Sequence, residues 1–374
     1  MTRVLAIILH AVPGADAGPL ELAFAVARLR NAERQARGFA AAGADARISA
    51  VEAGGLPFGA RLRELAATNP NAGIVILGSG SIPLATASDR GVLVAAARGE
   101  RHAFRTDRTG PPRVAGPSSP GKATAPAVAL TVLVNNRYSA DVLAIPLGID
   151  LTTLPDLASD NGVPHWLEGR GIEVADLRRR STLQVDLDSP LDVALAGGVR
   201  DMPGIADRLG PLRTVAAELV ERSRDPGAQL LVAGRTSAAT LRWLERHTAS
   251  RTRALVEERG FRTAAPGQRS PRSTLGLLLD RDGPAALGSI LAGLADAAIV
   301  DSRVLLAHRL GADETDWPRA EDRFASDLLL AGSVTDPWLG ELTASAASAS
   351  IPILLGGHTL VGPGLPAVLR GALA

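Results

Sequence analysis

The sequence holds no cysteine, a single lysine, one tyrosine and two methionines, and aromatic residues make up only 3% of its 374 positions. Without cysteine there is no disulfide, no thiol nucleophile and no thiolate metal site. So few aromatic rings leave no stacking platform for single-stranded nucleic acid. Neither sign of charge dominates, since 40 basic residues face 39 acidic ones for a formal net charge of +1. The charges are scattered, with no cationic stripe of the kind that neutralises phosphates along a nucleic acid, so no nucleic-acid partner is expected. No uninterrupted apolar run reaches the length that crosses a bilayer, and a cytoplasmic protein without a membrane partner is the expectation. The single lysine, Lys122, stands beside abundant alanine, glycine and arginine and reads as compositional bias.

What is present is aliphatic. Hydrophobic residues reach 46%, arranged as short runs of Val, Ile, Leu and Ala. Such runs suit buried parallel strands and alanine-rich helices. A chain of 374 residues exceeds what one hydrophobic core usually serves, so two α/β domains with mainly parallel sheets are expected, over 1–200 and 201–374. Val4 to Leu9 could pass for the apolar heart of a signal peptide. The run is short for that and enters the turn Pro13-Gly14-Ala15-Asp16, so a first buried strand is expected.

Taken in order, RVLAIILHA, ADARISAV and GIVILGSGSIPLA read as strands, separated by helical patterns over 19–42, closed by Gly43, and over 58–69. Strands alternating with helices imply right-handed crossovers, with ligands outside the strands' carboxyl ends. The segment from Arg101 to Pro126, rich in Pro, Gly and Arg, reads as a long surface loop. A strand, a turn at Asn135-Asn136 and a second strand follow, then a helix pair over 154–171 and an edge strand, GIEVADLR. Beyond Gly197-Gly198 the alternation restarts: a helix over 211–223, strand QLLVAGR, helix TSAATLRWLERH, strand TLGLLLD, a helix over 284–295, strand AAIVDSRVLLAH, a helix over 317–330, and strand SIPILLGGHTLV with a short helix. This second series is Rossmann-like.

The run Ser181 to Val193, STLQVDLDSPLDV, has a site-like pattern. Thr182 to Leu187 reads as a strand, whose two-residue period places Gln184, Asp186 and Asp188 on one face. Ser189 suits a helix cap, Pro190 the first helical position, and Asp192 the first turn, where an acid favours the helix dipole. Two carboxylates thus emerge together at the end of a strand.

Residues 1–197 resemble the GT-A-type nucleotidyltransferases, most of all the molybdenum-cofactor nucleotidyltransferases and 2-phospho-lactate guanylyltransferase. QVDLDSPLDVAL matches the Asp-Ile-Asp-Thr-Pro-Glu-Asp-Leu run that closes the catalytic domain of that group, and GIVILGSGSIPLA, LTVLVNNRYSADVLAI and PHWLEGRGIEVADL match its preceding elements. The resemblance implies a GT-A fold, with Asp186 and Asp188 as ligands of a magnesium ion that bridges nucleotide phosphates. A hard cation of this kind takes one or two carboxylates together with phosphate oxygens and water. At the turn where the group carries a metal-holding Asp this chain carries Ser81, and its first loop, His10 to Gly18, has no basic residue.

Gly78, Ser79, Gly80 and Ser81 can offer backbone N–H groups to a phosphate, or simply make a tight turn; Asn135 and Asn136 belong to the same expected nucleotide site. Gly116 to Lys122 approaches the P-loop spacing but has Ala123 where the magnesium-binding hydroxyl belongs, and Gly362 to Ala367 fits a loose dinucleotide pattern too close to the end for a βαβ unit. In the second half, Asp301, His308, Gly357 and His358 lie at or beyond expected strand ends and could form an acid–base group. Arg235 and Thr236 could bind an anion there or cap a helix.

The expected function is a divergent nucleotidyltransferase-like protein that binds a nucleotide or phosphorylated metabolite, with magnesium-dependent transfer if it is catalytic. The alternatives are an inactive binding or assembly module, including a homodimer, and an enzyme whose site lies in the second domain around Asp301 and His358.

Overall fold

The computed structural model describes residues 2–52, 55–100, 130–258 and 271–373. Lys122, the loop expected from Arg101 to Pro126 and the near P-loop lie outside the described residues. The chain forms two compact units, one of Met1–Val12 with Asn31–Gln184 and one of Pro13–Arg30 with Val185–Ala374. The expected single boundary at residue 200 is thus replaced by a cut after Gln184 and a return of Pro13–Arg30 to the second unit.

The first unit is built on a six-stranded sheet in the order β2-β1-β3-β5-β4-β6. Its strands are β1 (Arg3–Ala11), β2 (Asp45–Val51), β3 (Ala72–Gly78), β4 (Thr131–Val134), β5 (Val142–Ile145) and β6 (Glu173–Asp176). β5 alone runs against its neighbours, and the other pairings are parallel. Val4, Ala6 and Ile8 of β1 point into one core with Ala32, Phe39 and Leu93, while Leu5 and Ile7 point into another with Leu62, Leu151 and Leu167. Both faces are covered, which is why β1 is apolar without alternation.

The turn after β3 carries backbone strain, because Ile82 has φ +46°, a left-handed conformation that a β-branched residue rarely adopts. The side chains of Asn31 and Gln35, both fully buried, hold it. Asn31 Nδ2 donates to the carbonyls of Ser79 and Ser81 at 2.9 and 3.1 Å, and Gln35 Nε2 donates to that of Ile82 at 2.8 Å.

The second unit has a four-stranded, all-parallel sheet in the order β10-β9-β7-β8. Its strands are β7 (Gln229–Gly234), β8 (Arg251–Val256), β9 (Ala297–Asp301) and β10 (Ile353–Gly356). The chain steps from β7 outward to β8 and then crosses back to β9 on the other side of β7. Where strand order reverses in this way, a crevice opens between the carboxyl ends of β7 and β9. Leu230 to Ala233, Ala297 to Val300 and Ile353 to Leu355 form the centre of this unit's core, joined by Leu20, Phe24 and Ala27 of helix Pro19–Ala41.

Several expectations are corrected. Thr182 to Leu187 is not a strand: Ser181–Leu183 is a 3₁₀ turn and Asp186 makes an isolated bridge, although Val185 and Leu187 are still buried in alternation. TLGLLLD is a helix, Thr274–Asp282, capped by Ser273. AAIVDSRVLLAH breaks at Asp301, which caps helix Ser302–Leu310. β8 and helix Pro337–Ala347 are additions, and the expected helix pair before β6 is a 3₁₀ turn and one helix, Val163–Gly169. The run from Gly362 to Ala367 joins two short helices rather than a strand and a helix. Among the described residues no helix is long and apolar enough to cross a membrane.

Candidate functional site

Within the second unit three strand ends meet. In register, Gly356 of β10 stands beside Asp301 of β9, and Ala233 of β7 beside Val300. Gly234, the last residue of β7, has φ +126°, and a β-carbon there would lie 2.2 Å from Asp301 Cβ. Only glycine lets the two strands end this close together.

Asp301 is buried and organises the strand ends. Its carboxylate accepts two bonds from the Arg235 guanidinium, at 2.6 and 3.1 Å, and one from the main-chain N–H of Arg303 at 3.2 Å. Burial alone would raise its pKa, but Arg235, His358 and Arg303 outweigh this and hold the carboxyl below its ordinary range. Arg303, in the first turn of its helix, donates to both oxygens of buried Asp327, at 2.5 and 2.6 Å, and to Ser302 Oγ at 2.9 Å, which in turn donates to the Gly356 carbonyl at 3.2 Å. Burial works against the charge on Arg303, yet Asp327 and Asp301 keep the guanidinium firmly cationic. These bidentate pairs fix two guanidiniums in place.

A further wall comes from helix Pro19–Ala41 and helix Ala320–Asp327, whose first turns cap one another. Glu321 accepts from the main-chain N–H groups of Leu20 and Glu21 at 3.0 Å each, and Glu21 accepts from that of Glu321 at 3.1 Å. Carboxylates at helix starts favour the dipoles there. This docking sets Phe24 edge-to-face on Phe324, with ring centres 5.1 Å apart. It brings Arg28 over the Phe24 ring at 5.5 Å and Arg323 over the Trp317 ring at 5.7 Å. Arg28 has no carboxylate partner among the described residues, and the Nε atoms of Arg28 and Arg323 are buried without hydrogen-bond partners. Burial and the nearby charge of Arg303 lower the pKa of Arg323.

The closing motif supplies the last wall. Helix Pro190–Leu195 begins as expected, with Ser189 as cap and Pro190 in the first turn. Asp192 Oδ2 accepts from Ser189 Oγ at 2.9 Å and from the main-chain N–H of Asp188 at 3.1 Å, while Oδ1 has no partner. Burial, followed by the charges of Asp188 and Asp327, pushes the Asp192 carboxyl well above its usual pKa. Burial thus favours the protonated form of this carboxyl.

Together these elements enclose a cavity of about 210 Å³, lined by Phe24, Arg28, Asp188, Asp192, Arg235, Arg303, Glu314, Arg323, Phe324, Gly357 and His358. Four arginines from four separate segments line it, with two aromatic rings beside them. Fixed guanidiniums recognise oxyanions, and a protonated carboxyl adds a donor that does not repel them.

Of the residues singled out from sequence, Asp188, Gly357 and His358 line this cavity and Asp301 lies directly behind it. Asp186 is half-buried, and its carbonyl accepts from Thr359 Oγ1 at 3.1 Å. His308 does not join them: its Nδ1 accepts from the Ser273 N–H and its Nε2 bonds Asp280, each at 3.0 Å. Arg235 reaches the cavity, whereas the helix cap next to it is Ser237 rather than Thr236. In the first unit, the N–H groups of Ser79 and Ser81 already donate to the carbonyls of Leu9 and Gly78. Asn135 bonds Asp141, Val142 and Leu183 through both ends of its amide, and Asn136 Oδ1 accepts from the Tyr138 N–H. The N–H groups of Ser79 and Ser81 and the amides of Asn135 and Asn136 thus serve the turns themselves. Arg28, Arg303, Arg323 and the unpartnered oxygen of Asp192 were not foreseen; the only local signal was Asp301-Ser302-Arg303, a strand-ending acid followed by a helix start.

Among the described residues no group of three or more acidic or histidine side chains comes together to hold a metal. Asp188, implied as a magnesium ligand, shares its cavity with four arginines, whose charge works against a divalent cation there. In comparisons with family models, curated proteins and solved structures, nothing matches this chain.

Proposed function

We propose that the second unit is a Rossmann-like binding domain for a small anionic metabolite, seated at the carboxyl ends of β7, β9 and β10. The observation that carries this reading is the convergence of Arg28, Arg235, Arg303 and Arg323 on one cavity. In open α/β sheets the crevice where strand order reverses is the usual place for a ligand. It is the second-domain reading, around Asp301 and His358, in a sharper form. Two arginines are held by buried carboxylates and keep their geometry without ligand; Arg28 and Arg323 bring guanidinium nitrogens that lack partners. His358 and Asp192 give the site an imidazole and a carboxyl, should it carry out chemistry on what it binds.

The first unit, on the strength of its sequence resemblance, remains a proposed divergent GT-A-type domain. Its expected magnesium-dependent nucleotidyl transfer has no support from the donor set around Asp186 and Asp188, and no step is derived through that metal.

Thermal unfolding with inorganic phosphate, phosphorylated metabolites and carboxylates, in the absence of metal, tests the binding reading. A ligand at a hundredfold its dissociation constant stabilises by about 2.7 kcal/mol. The expected result is a shift with at least one anion that disappears in Arg28→Glu. Either no shift with any anion, or an undiminished shift in that variant, would refute the assignment.

A further inference from the structure

Resting on the anion-binding reading, we propose that the ligand is a phosphate monoester of a compact metabolite, not a nucleotide or a carboxylate, and that Arg28 and Asp192 grip its phosphate directly.

Size comes first. A cavity of roughly 150 Å³ accepts a benzene ring, and this one has about 210 Å³. A phosphate with a body of a few carbons fills that volume, whereas a nucleotide would have to leave its base outside it.

The second argument is the number of donors left over. The Arg235 and Arg303 guanidiniums each commit two bonds to a buried carboxylate. Arg28 has no carboxylate partner among the described residues. Asp192 is 1% exposed; its Oδ2 already takes two donors and its Oδ1 takes none. A buried oxygen left without a partner costs on the order of 1–3 kcal/mol, which a ligand oxygen facing Oδ1 would recover. With the proton on Oδ1, Asp192 donates, and a phosphate offers three terminal oxygens to divide among Asp192, Arg28 and the Arg323 edge. A carboxylate group offers two, and the four of a dicarboxylate such as malonate lie on two separate planar groups rather than on one tetrahedral centre. Phe24 and Phe324 then pack against the apolar body.

The charged groups around Asp192 agree with this arrangement. Asp188 precedes it on the same motif; Asp327 and Arg323 face it from helix Ala320–Asp327 and Arg303 from helix Ser302–Leu310; Arg28, Arg235, Glu314 and His358 complete the wall. Asp301 and Asp327 offset Arg235 and Arg303, which leaves Arg28, without a carboxylate partner among the described residues, as the cation for a phosphate to offset.

Isothermal titration of the full chain, free of metal, with inorganic phosphate, glycerol 3-phosphate, malonate and adenosine monophosphate decides the matter. Glycerol 3-phosphate is expected to bind at least about tenfold more tightly than malonate or the nucleotide, as one charged hydrogen bond lost would give. Arg28→Met should weaken it by about tenfold or more with the melting temperature of the free protein unchanged. Asp192→Asn, whose amide nitrogen donates where Oδ1 stands, should hold affinity within about threefold, and Asp192→Ala should not. Equal or tighter binding of malonate or the nucleotide, or no effect of Arg28→Met, overturns the phosphate monoester while leaving an anion site. Silence from all four ligands removes the anion site itself. If Asp192→Ala does not fold, Asp192→Asn and Arg28→Met suffice for the decision.

Discussion

Arg235 and Asp301 form a two-point ion pair across the ends of β7 and β9, with Nε 2.6 Å from Oδ2 and Nη2 3.1 Å from Oδ1. The same carboxylate caps the helix that carries Arg303, so one buried acid positions two of the four arginines. Removing one member of a buried pair costs about 3–5 kcal/mol, because the other is left uncompensated. Asp301→Asn is therefore expected to lower stability by about 3 kcal/mol, measured by urea unfolding. The folded pKa of Asp301 lies below its unfolded value, so its ionic contribution is complete above the unfolded pKa of about 3.9 and is lost as pH falls through the folded one. The gap between wild type and Asp301→Asn should close in strong acid; a gap independent of pH would contradict the ion pair.

Asp192 has the opposite linkage. Its folded pKa is raised, so between the unfolded and folded values the folded chain binds the extra proton, and stability falls as pH rises through that window. Asp192→Asn has no such proton to lose. Its stability relative to wild type should climb from pH 4 towards neutrality, followed by denaturant midpoints across that range, while its hydrogen bonds from Ser189 and Asp188 can be kept by the amide oxygen. A relative stability that stays level with pH would place an ionised carboxylate at this position.

The fold was legible wherever local chemistry was unambiguous. Strand β1 and helix Pro19–Ala41 follow the apolar run, the Pro19 start and Gly43 at φ +87°. Short apolar runs misled, because Leu275 to Leu279 gives no periodicity that separates a helix from a buried strand, and its cap Ser273 decided the outcome. Arg251 and Arg253 disguised β8, an edge strand whose arginines reach outward. Asp186 and Asp188 kept their alternation but lost the strand, as 3₁₀ geometry at Ser181–Leu183 intervened. The cavity itself was illegible because its arginines stand at 28, 235, 303 and 323, with no common spacing. Only the sheet order, which folds β9 back beside β7, brings them together.

Asn31→Ala tests what holds the strained turn of the first unit. The Asn31 amide satisfies two carbonyls, Ser79 and Ser81, in a place closed to water. Each buried acceptor left bare costs about 1–3 kcal/mol. The expected loss is about 3 kcal/mol in all, read from thermal or urea unfolding, with faster amide exchange at Ile82. If the variant is as stable as wild type, Ile82 at φ +46° is held by its buried side chain and not by this helix.

Gly234→Ala sets two effects of opposite sign against each other. Alanine restricts the unfolded chain more than glycine does, and at a compatible position this stabilises by about 0.4–1 kcal/mol. Position 234 is not compatible: its φ is +126° and the new β-carbon would stand 2.2 Å from Asp301 Cβ. Unfavourable backbone alone costs about 1–3 kcal/mol, and relief of the contact requires β7 and β9 to separate where Arg235 pairs with Asp301. The steric term wins, so a net loss of at least about 2 kcal/mol is expected in denaturant unfolding. Anion affinity should fall with it, since the guanidinium of Arg235 moves with its strand. A Gly234→Ala variant that is more stable than wild type and binds equally well would show that the strand ends have room to spare and that their close approach does not shape the cavity.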